Sequence, residues 1–317
     1  MPLKSDVLSV LLKNRNKDIS GQDLAELFGV SRNAVWKAIN SLKEQGYEII
    51  SSTNKGYRLS PDSDVLSDEE ISAYLEDKNI KIYTYDSLDS TNNEAKRLLV
   101  SSENENSVML IASENQTNGR GRFGRNFYSQ KGMGVYFSLV LSPHSDFESI
   151  SKVTTYAAVC VADAVLELSG TQVQIKWVND IYSDGKKICG ILTEAVSDFE
   201  SGSISNIIIG IGLNIKETPL PPELKDTVGF LNFDGAIKNQ LIGSIVNKLL
   251  LFEQNKGSYI DRYRKYSMVI GKEIKFTKSN REFFGTALDI DEQGGLKVEC
   301  GGKTEILKSG EISLKLL

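Results

Sequence analysis

The 317 residues, 40% hydrophobic and 25% charged with a net charge of -5, have an ordinary globular composition that excludes collagen-like, disulfide-scaffold and wholly disordered chains. No run is long and apolar enough to span a membrane, and the first residues lack the apolar core of a signal peptide, so the expected location is cytoplasmic with no membrane partner. Cys160, Cys189 and Cys300 are dispersed, and the single histidine, His144, sits in a turn-like Ser142-Pro143-His144-Ser145 context, which argues against a His/Cys metal site and against a Ser-His mechanism.

Residues 1–60 hold nine Lys/Arg and six Asp/Glu, whereas the remainder holds 28 basic and 36 acidic residues. An anionic partner is therefore attracted to the N-terminal block and repelled by the body. Val7, Leu8, Leu11 and Leu12 form a helical stripe. Ser20 is the expected N-cap of a second helix with Leu24, Leu27 and Phe28 on its apolar face. Gly29 and Val30 form a tight turn, and Ser31 caps a third helix that buries Val35, Ala38, Ile39 and Leu42. The alternating 47–59 segment folds as a hairpin about Asn54-Lys55-Gly56. Three helices and a hairpin predict a winged helix-turn-helix over residues 1–62. Ser31, Arg32, Asn33, Lys37 and Asn40 stand away from the third helix's apolar stripe and suit base edges in a major groove. Lys55 and Arg58 of the wing suit phosphates. A protein-contact role for the winged helix stays open at this point.

Pro61-Asp62-Ser63-Asp64 reads as a linker, and Ser67-Asp68-Glu69-Glu70 as a capping box opening a second domain, 63–268. Strands are expected at 80–85, 108–112, 134–141, 173–177, 187–195 and 204–215, and helices at 92–100, 150–168, 237–254 and 259–266. That is a mixed β-sheet with flanking helices. From 269 to 317, Gly271, Gly285, Gly294, Gly295, Gly301, Gly302 and Gly310 separate short β-type runs, which predicts a small all-β barrel of about five strands. The fold class is thus α+β and multidomain.

Four segments carry chemistry. Asp89-Ser90-Thr91-Asn92-Asn93-Glu94 reads as a capping box, with Thr91 as cap, at a helix N-terminus able to hold an anion. The loop from Gln116 through Gly119, Arg120, Gly121, Arg122, Phe123, Gly124 and Arg125 contains GxGxxG, but no helix follows to hold a pyrophosphate, so the dinucleotide reading fails. Its glycines can turn N–H groups inward as an anion nest, and its arginines offer forks to carboxylate and phosphate. A solvated loop or nucleic-acid patch is the open alternative. Lys176-Trp177-Val178-Asn179-Asp180, a turn at Ser183-Asp184-Gly185 and a return through Lys187 to Gly190 form a hairpin able to bring Asp180 and Lys187 together, with a hairpin of merely solvated lysines as the open alternative. The apolar run ending Gly210-Ile211-Gly212-Leu213-Asn214 allows close backbone approach, with Asn214 able to read a base edge, and a plain buried core strand with a turn residue is the open alternative.

In this order the motifs closely resemble those of the biotin–protein ligase family: its STN cap, Gly/Arg loop, lysine-tryptophan strand end, hairpin return and GxGxN strand. The resemblance extends over the whole chain, because the winged helix and terminal barrel match the bifunctional, repressor-type subgroup. Val178 departs from the usual proline, and Phe127 from a common adenine-stacking tryptophan. The resemblance implies a class II synthetase-like core that makes biotinyl-5'-AMP from biotin and Mg-ATP. It implies transfer of biotin to a lysine of the biotin carboxyl carrier protein, and repression by a homodimer on operator DNA with the adenylate as corepressor. It assigns catalysis to Lys187, Arg120 and Asp180. It assigns biotin binding to Ser90, Thr91, Asn92, Gln116, Arg120, Gly121, Arg122, Lys187 and Gly190. ATP and adenylate fall to Arg122, Arg125, Phe127, Lys176, Asn179 and Asn214, with Mg2+ carried by ATP. A lipoate ligase or octanoyltransferase, which normally lacks the winged helix, and a sensor without catalysis are the rival readings.

Overall fold

The computed structural model describes residues 3–53, 55–101, 107–142, 150–197, 203–233, 235–255, 259–278, 281–308 and 313–316. The turn positions Asn54 and His144, and Gly310, lie outside them. The chain forms two compact units, Met1–Leu75 with Phe233–Gly243, and Glu76–Asn232 with Ser244–Leu317.

The first unit contains α1 (Leu3–Lys13), α2 (Gly21–Phe28), α3 (Arg32–Glu44), β1 (Ile49–Ser52), β2 (Gly56–Leu59) and α4 (Asp68–Tyr74). The Ser20 and Ser31 hydroxyls accept the Asp23 and Ala34 N–H groups and start α2 and α3. Gly29 ends α2 in the left-handed region (φ 63°), which glycine adopts without a Cβ penalty. Leu8, Leu11, Leu24, Val35, Ile39 and Leu42 are buried together, each contributing about 1.5–3 kcal/mol of apolar burial. Leu27, expected on the apolar face of α2, is instead 62% exposed, because Leu24 and Ala25 take the inward positions. The β1–β2 hairpin pairs Ile49 with Leu59, and Tyr57 bridges to Ile19.

The segment after the hairpin is tied down. Arg15 Nη1 donates to the carbonyls of Ser60, Pro61 and Ser63, and Nη2 to Glu70 Oε1 at 2.6 Å. Only one arm of the expected capping box forms. Ser67 Oγ accepts the Glu70 N–H, but the Glu70 carboxylate is held by Arg15, and the Ser67 N–H donates to Asn239 Oδ1. Asp64 Oδ1 accepts the N–H groups of Ile237 and Lys238.

The second unit is built on seven strands: β3 (Lys81–Tyr85), β4 (Met109–Ser113), β5 (Gly134–Leu141), β6 (Gln174–Lys176), β7 (Asp180–Ser183), β8 (Lys186–Ser197) and β9 (Ile204–Asn214). Their order is β3-β4-β5-β9-β8-β7-β6, with β3–β4 parallel and the other pairs antiparallel, so the sheet is mixed as expected. β5 and β9 are apolar on both faces and central. The strand β7 was not anticipated: four residues with only Ile181 buried show no readable periodicity. Helix α5 (Thr91–Ser101) packs on β4, β5 and β9, and α6 (Ile150–Ser169) is buried over most of its length. The helix expected at 237–254 divides into α7 (Lys238–Leu250) and α8 (Phe252–Asn255), and α9 spans Tyr259–Tyr266.

The tail forms β10 (Glu273–Lys278), β11 (Arg281–Ile290), β12 (Leu296–Cys300), β13 (Lys303–Leu307) and β14 (Ser313–Leu316). They make a five-stranded antiparallel sheet, β13-β12-β11-β10-β14. The strand number is as expected. The closure of a barrel is not: among the described residues β13 and β14 end the order without pairing to each other. The Trp177 indole N–H donates to the Gly294 carbonyl, and Arg264 binds Asp289 and the Ile290 carbonyl, joining this sheet to the body of the unit. No helix among the described residues is long and apolar enough to cross a membrane.

Candidate active site

Three glycines flatten the middle of the large sheet. A Cβ on Gly210 would stand 2.2 Å from Asn92 Oδ1, one on Gly212 2.4 Å from the Phe127 ring, and one on Gly190 3.0 Å from the same ring. These glycines provide room rather than unusual backbone angles, letting Asn92 and Phe127 lie directly against the strands. All the expected ligand-binding and catalytic residues except Asn214 line one pocket over this floor.

The Gly/Arg loop is closed on itself. The Gly121 N–H donates to the Arg125 carbonyl at 2.7 Å and the Phe127 N–H to the Gly119 carbonyl at 2.8 Å. The anion nest expected of these glycines is therefore incomplete, because the Gly121 N–H is spent inside the loop. Residues Arg122–Gly124 make a 3-10 turn, with Phe123 at φ 57° and 56% exposed. Arg120 Nη1 donates to Asn93 Oδ1 at 3.0 Å, and Arg122 Nη1 to Asn179 Oδ1 at 3.0 Å. Burial lowers the Arg122 guanidinium below its ordinary pKa, against the opposing charge of Asp180.

The β7–β8 hairpin pairs Asp180 with Gly190 and Tyr182 with Lys187, with a register shift between Ile181 and Tyr182. Lys187 Nζ reaches Asp180 Oδ1 at 2.6 Å. Its backbone is held from outside the hairpin, where the Lys187 N–H donates to Thr227 and its carbonyl accepts from Gly229. Lys187 Nζ also lies 6.0 Å from the Phe127 ring centroid, and Lys176 Nζ 5.8 Å from that of Tyr182. The Trp177–Val178 peptide is cis.

Along the floor of the pocket runs a polar chain, buried at its centre. α5 begins at Thr91, so Thr91 is its first residue and not its cap; Glu94 binds Tyr85 and Arg97 rather than folding back. Gln116 Oε1 accepts the Thr91 N–H at 2.9 Å, and its amide donates to Ser129. Ser138 Oγ lies 2.7 Å from Thr91 Oγ1 and 2.6 Å from Asn92 Oδ1, and Asn92 Nδ2 donates to Glu194 at 2.8 Å. Lys96 pairs with Glu194 at 2.8 Å. Burial would raise the Glu194 carboxyl, but the Lys96 and Asn92 hydrogen bonds outweigh it and hold it below the ordinary value. Sequence reasoning missed Ser138, Glu194 and Lys96. The signal was present for two of them: Ser138 interrupts the otherwise apolar 134–141 run, and Glu194 is an acid inside a strand. Asn214 lies 3% exposed, with Nδ2 on the Gly229 carbonyl and Oδ1 buried without a hydrogen-bond partner among the described residues.

In the first unit, Arg32, Asn33 and Lys37 are exposed along α3, with Asn40 half-buried. The Ser31 hydroxyl is engaged as a cap. Trp36, missed in the sequence, is 52% exposed on the same face. Lys55 is exposed, and Arg58 stands 3.9 Å from Asp18.

Residues 84–214 match the Biotin/lipoate A/B protein ligase family, 4–58 an HTH domain, and 269–315 the Biotin protein ligase C terminal domain. The chain is 35% identical to the Bifunctional ligase/repressor BirA of Bacillus subtilis over 98% of each chain. It is 29% identical to the Escherichia coli protein of that name over 99% of this chain and 97% of that one. The biotin protein ligase of Aquifex aeolicus in complex with biotin and ATP superposes with a TM-score of 0.64 at 26% identity, covering 75% of this chain and 99% of that one.

Proposed function

The chain belongs to the family of bifunctional biotin–protein ligases and repressors, and from that premise we propose that it makes biotinyl-5'-AMP, transfers biotin to a carrier-protein lysine, and represses transcription with the adenylate as corepressor. The observation that carries the catalytic reading is the 2.6 Å Lys187–Asp180 pair on the pocket that Arg120 and Arg122 also line. A carboxylate attacking a phosphate brings two anions together, and such a cluster of fixed cations offsets their repulsion.

In the first half-reaction a biotin carboxylate oxygen forms a bond to the α-phosphorus of ATP, and the bond to the departing pyrophosphate breaks. Arg120 and Arg122 hold the carboxylate and then the α-phosphate. Lys187 supplies positive charge at the reacting oxygens, oriented by Asp180. Mg2+ enters with the nucleotide; among the described residues no group of three His, Cys, Asp or Glu side chains gathers to hold it. In the second half-reaction the neutral amine of the acceptor lysine attacks the biotinyl carbonyl and AMP leaves, with Asp180 placed to take the amine's proton.

Ser90, Thr91, Asn92, Gln116, Gly121 and Gly190 form the biotin side of the pocket. Arg125, Phe127, Lys176 and Asn179 form the nucleotide side. Phe127, flat against Gly212, offers an aromatic face for adenine. Asn214, outside the pocket lining, has an Oδ1 with no hydrogen-bond partner among the described residues, an acceptor suited to an amino group. Ser31, Arg32, Asn33, Lys37, Lys55 and Arg58 read DNA, all within residues 1–62. Chemistry belongs to 63–268, with 269–317 as a third module. The subunit acts on DNA as a homodimer, since one winged helix has a small footprint. Mass spectrometry of the protein incubated with biotin and Mg-ATP tests the reading: bound biotinyl-5'-AMP is expected, and its absence from folded protein overturns the ligase assignment.

A further inference from the structure

The polar chain along the pocket floor has a fixed direction. Its start is the Thr91 N–H, which can only donate and is taken by Gln116 Oε1. Its other end is the Glu194 carboxylate, which can only accept. Glu194 accepts at 2.8 Å and the Leu192 carbonyl, more weakly, at 3.4 Å, so Asn92 turns Nδ2 toward them and Oδ1 toward Ser138. The Ser138 hydroxyl has one proton, and the 2.6 Å contact to Asn92 Oδ1 uses it. The 2.7 Å contact between Ser138 and Thr91 is then made by the Thr91 hydroxyl, whose other acceptor, Gln116 Oε1, lies farther off at 3.2 Å. With its proton committed downward, Thr91 Oγ1 presents only lone pairs to the pocket. The middle of the chain is buried, with Ser138 0%, Thr91 4% and Asn92 3% exposed, and its ends at Gln116 and Glu194 are half-buried, so water is kept from the central links.

We propose that Glu194 is a positioning residue of the biotin subsite, setting the hydrogen-bond direction through Asn92 and Ser138 so that Thr91 accepts an N–H of the ligand's cyclic urea. Lys96, paired to the same carboxylate from α5, keeps Glu194 in place. The inference rests on the ligase reading above and adds a residue that touches neither substrate. Glu194→Gln is nearly isosteric, but its amide can turn either a donor or an acceptor to Asn92. The proton order is then free to reverse: Ser138 donates to Thr91, and the Thr91 proton is left to the longer 3.2 Å contact with Gln116 Oε1 or to the pocket, where it meets a ligand N–H donor against donor.

The test is isothermal titration of the full chain with biotin alone, together with biotin- and ATP-dependent pyrophosphate exchange. For Glu194→Gln the biotin Kd and KM should rise about tenfold, the size of one lost hydrogen bond with its partner left buried. The ATP KM and the kcat at saturating biotin should stay within about twofold. Ser138→Ala cuts the relay and should weaken biotin similarly, and the double variant should be no weaker than either single one. Lys96→Met reads the same carboxylate should Glu194→Gln fail to fold, with a biotin Kd raised about threefold. An unchanged Kd in Glu194→Gln, additive losses in the double variant, or a fallen kcat with unchanged KM overturns the proposal and leaves the ligase reading standing. A parent chain that binds no biotin overturns both.

Discussion

Lys187 Nζ donates to Asp180 Oδ1 across 2.6 Å of the β7–β8 hairpin, and the Lys187 backbone is pinned on both sides by residues 227 and 229. A cation held this way needs little reorganisation when charge builds on the reacting oxygens. Lys187→Ala should therefore slow adenylate formation by at least about a hundredfold, the usual scale for removing a preorganised partner of developing charge. Pyrophosphate exchange at saturating biotin and ATP measures it. A loss confined to KM would mean that Lys187 binds substrate and does not assist the step.

The role proposed for Arg120 is different. Its guanidinium is held by Asn93 at 3.0 Å, with Glu194 a further 3.9 Å contact, and it is exposed where Arg122 is half-buried. Arg120→Gly should weaken biotin binding and let the adenylate escape before transfer. Biotinylation of bystander proteins mixed with the variant would report the escape. An adenylate retained as long as in the parent would contradict the retention role.

Much of the pocket lining was legible because it lies in short contiguous motifs. Arg120, Arg122, Asp180 and Lys187 stand out by residue type, and the turn at 183–185 brings the last two together. The floor was less legible. Ser138 and Glu194 act through partners about 46 and 102 positions away in sequence from Asn92, and no local pattern encodes such pairing. The Gly121 N–H was misjudged because the loop's closure onto Arg125 depends on tertiary context. In the fold, helices with full apolar stripes were found nearly to the residue. The four-residue β7 and the break between α7 and α8 carry too little periodicity to read.

The Arg15–Glu70 pair gives the first unit a pH dependence. Burial pushes the Glu70 carboxyl up from its ordinary 4.5 to about 7, although Arg15 opposes the shift. Between these values the folded state holds more protons than the unfolded one, so Glu70 lowers stability as pH rises from 4.5 to about 7 and adds no slope above that. Glu70→Gln should flatten this slope, by on the order of 1–3 kcal/mol across the window. Thermal melts of both proteins from pH 4.5 to 8 would show it. Parallel stability profiles would mean that Glu70 is not the responsible group.

DNA reading should fail without loss of chemistry when the exposed face of α3 is changed. Arg32 and Lys37 are exposed and far in sequence from every pocket residue. Arg32→Ala should cost about 1–3 kcal/mol on the preferred duplex, and Lys37→Ala should reduce binding evenly across sequences. Gel shifts against duplexes selected from a random pool, run beside biotin-transfer assays, separate the two activities. Full operator affinity in the double variant would remove α3 as the reading element.

Biotin and ATP together should tighten operator binding, and the gain should come through dimerisation. The loop from Gly119 to Arg125 makes its closing hydrogen bonds internally, and its large apolar side chain, Phe123, is 56% exposed. Little apolar burial therefore fixes it before a ligand arrives. Folding it around the adenylate removes that ordering cost before two subunits meet, which makes the second association easier. The coupling should be about 1–3 kcal/mol, as in allosteric systems generally. Sedimentation equilibrium with and without the adenylate measures the first step. Operator titrations at one fixed salt concentration measure the second, because phosphate contacts make affinity salt-dependent. Unchanged dimerisation together with unchanged operator affinity would sink the corepressor reading and leave a ligase whose winged helix answers to another signal.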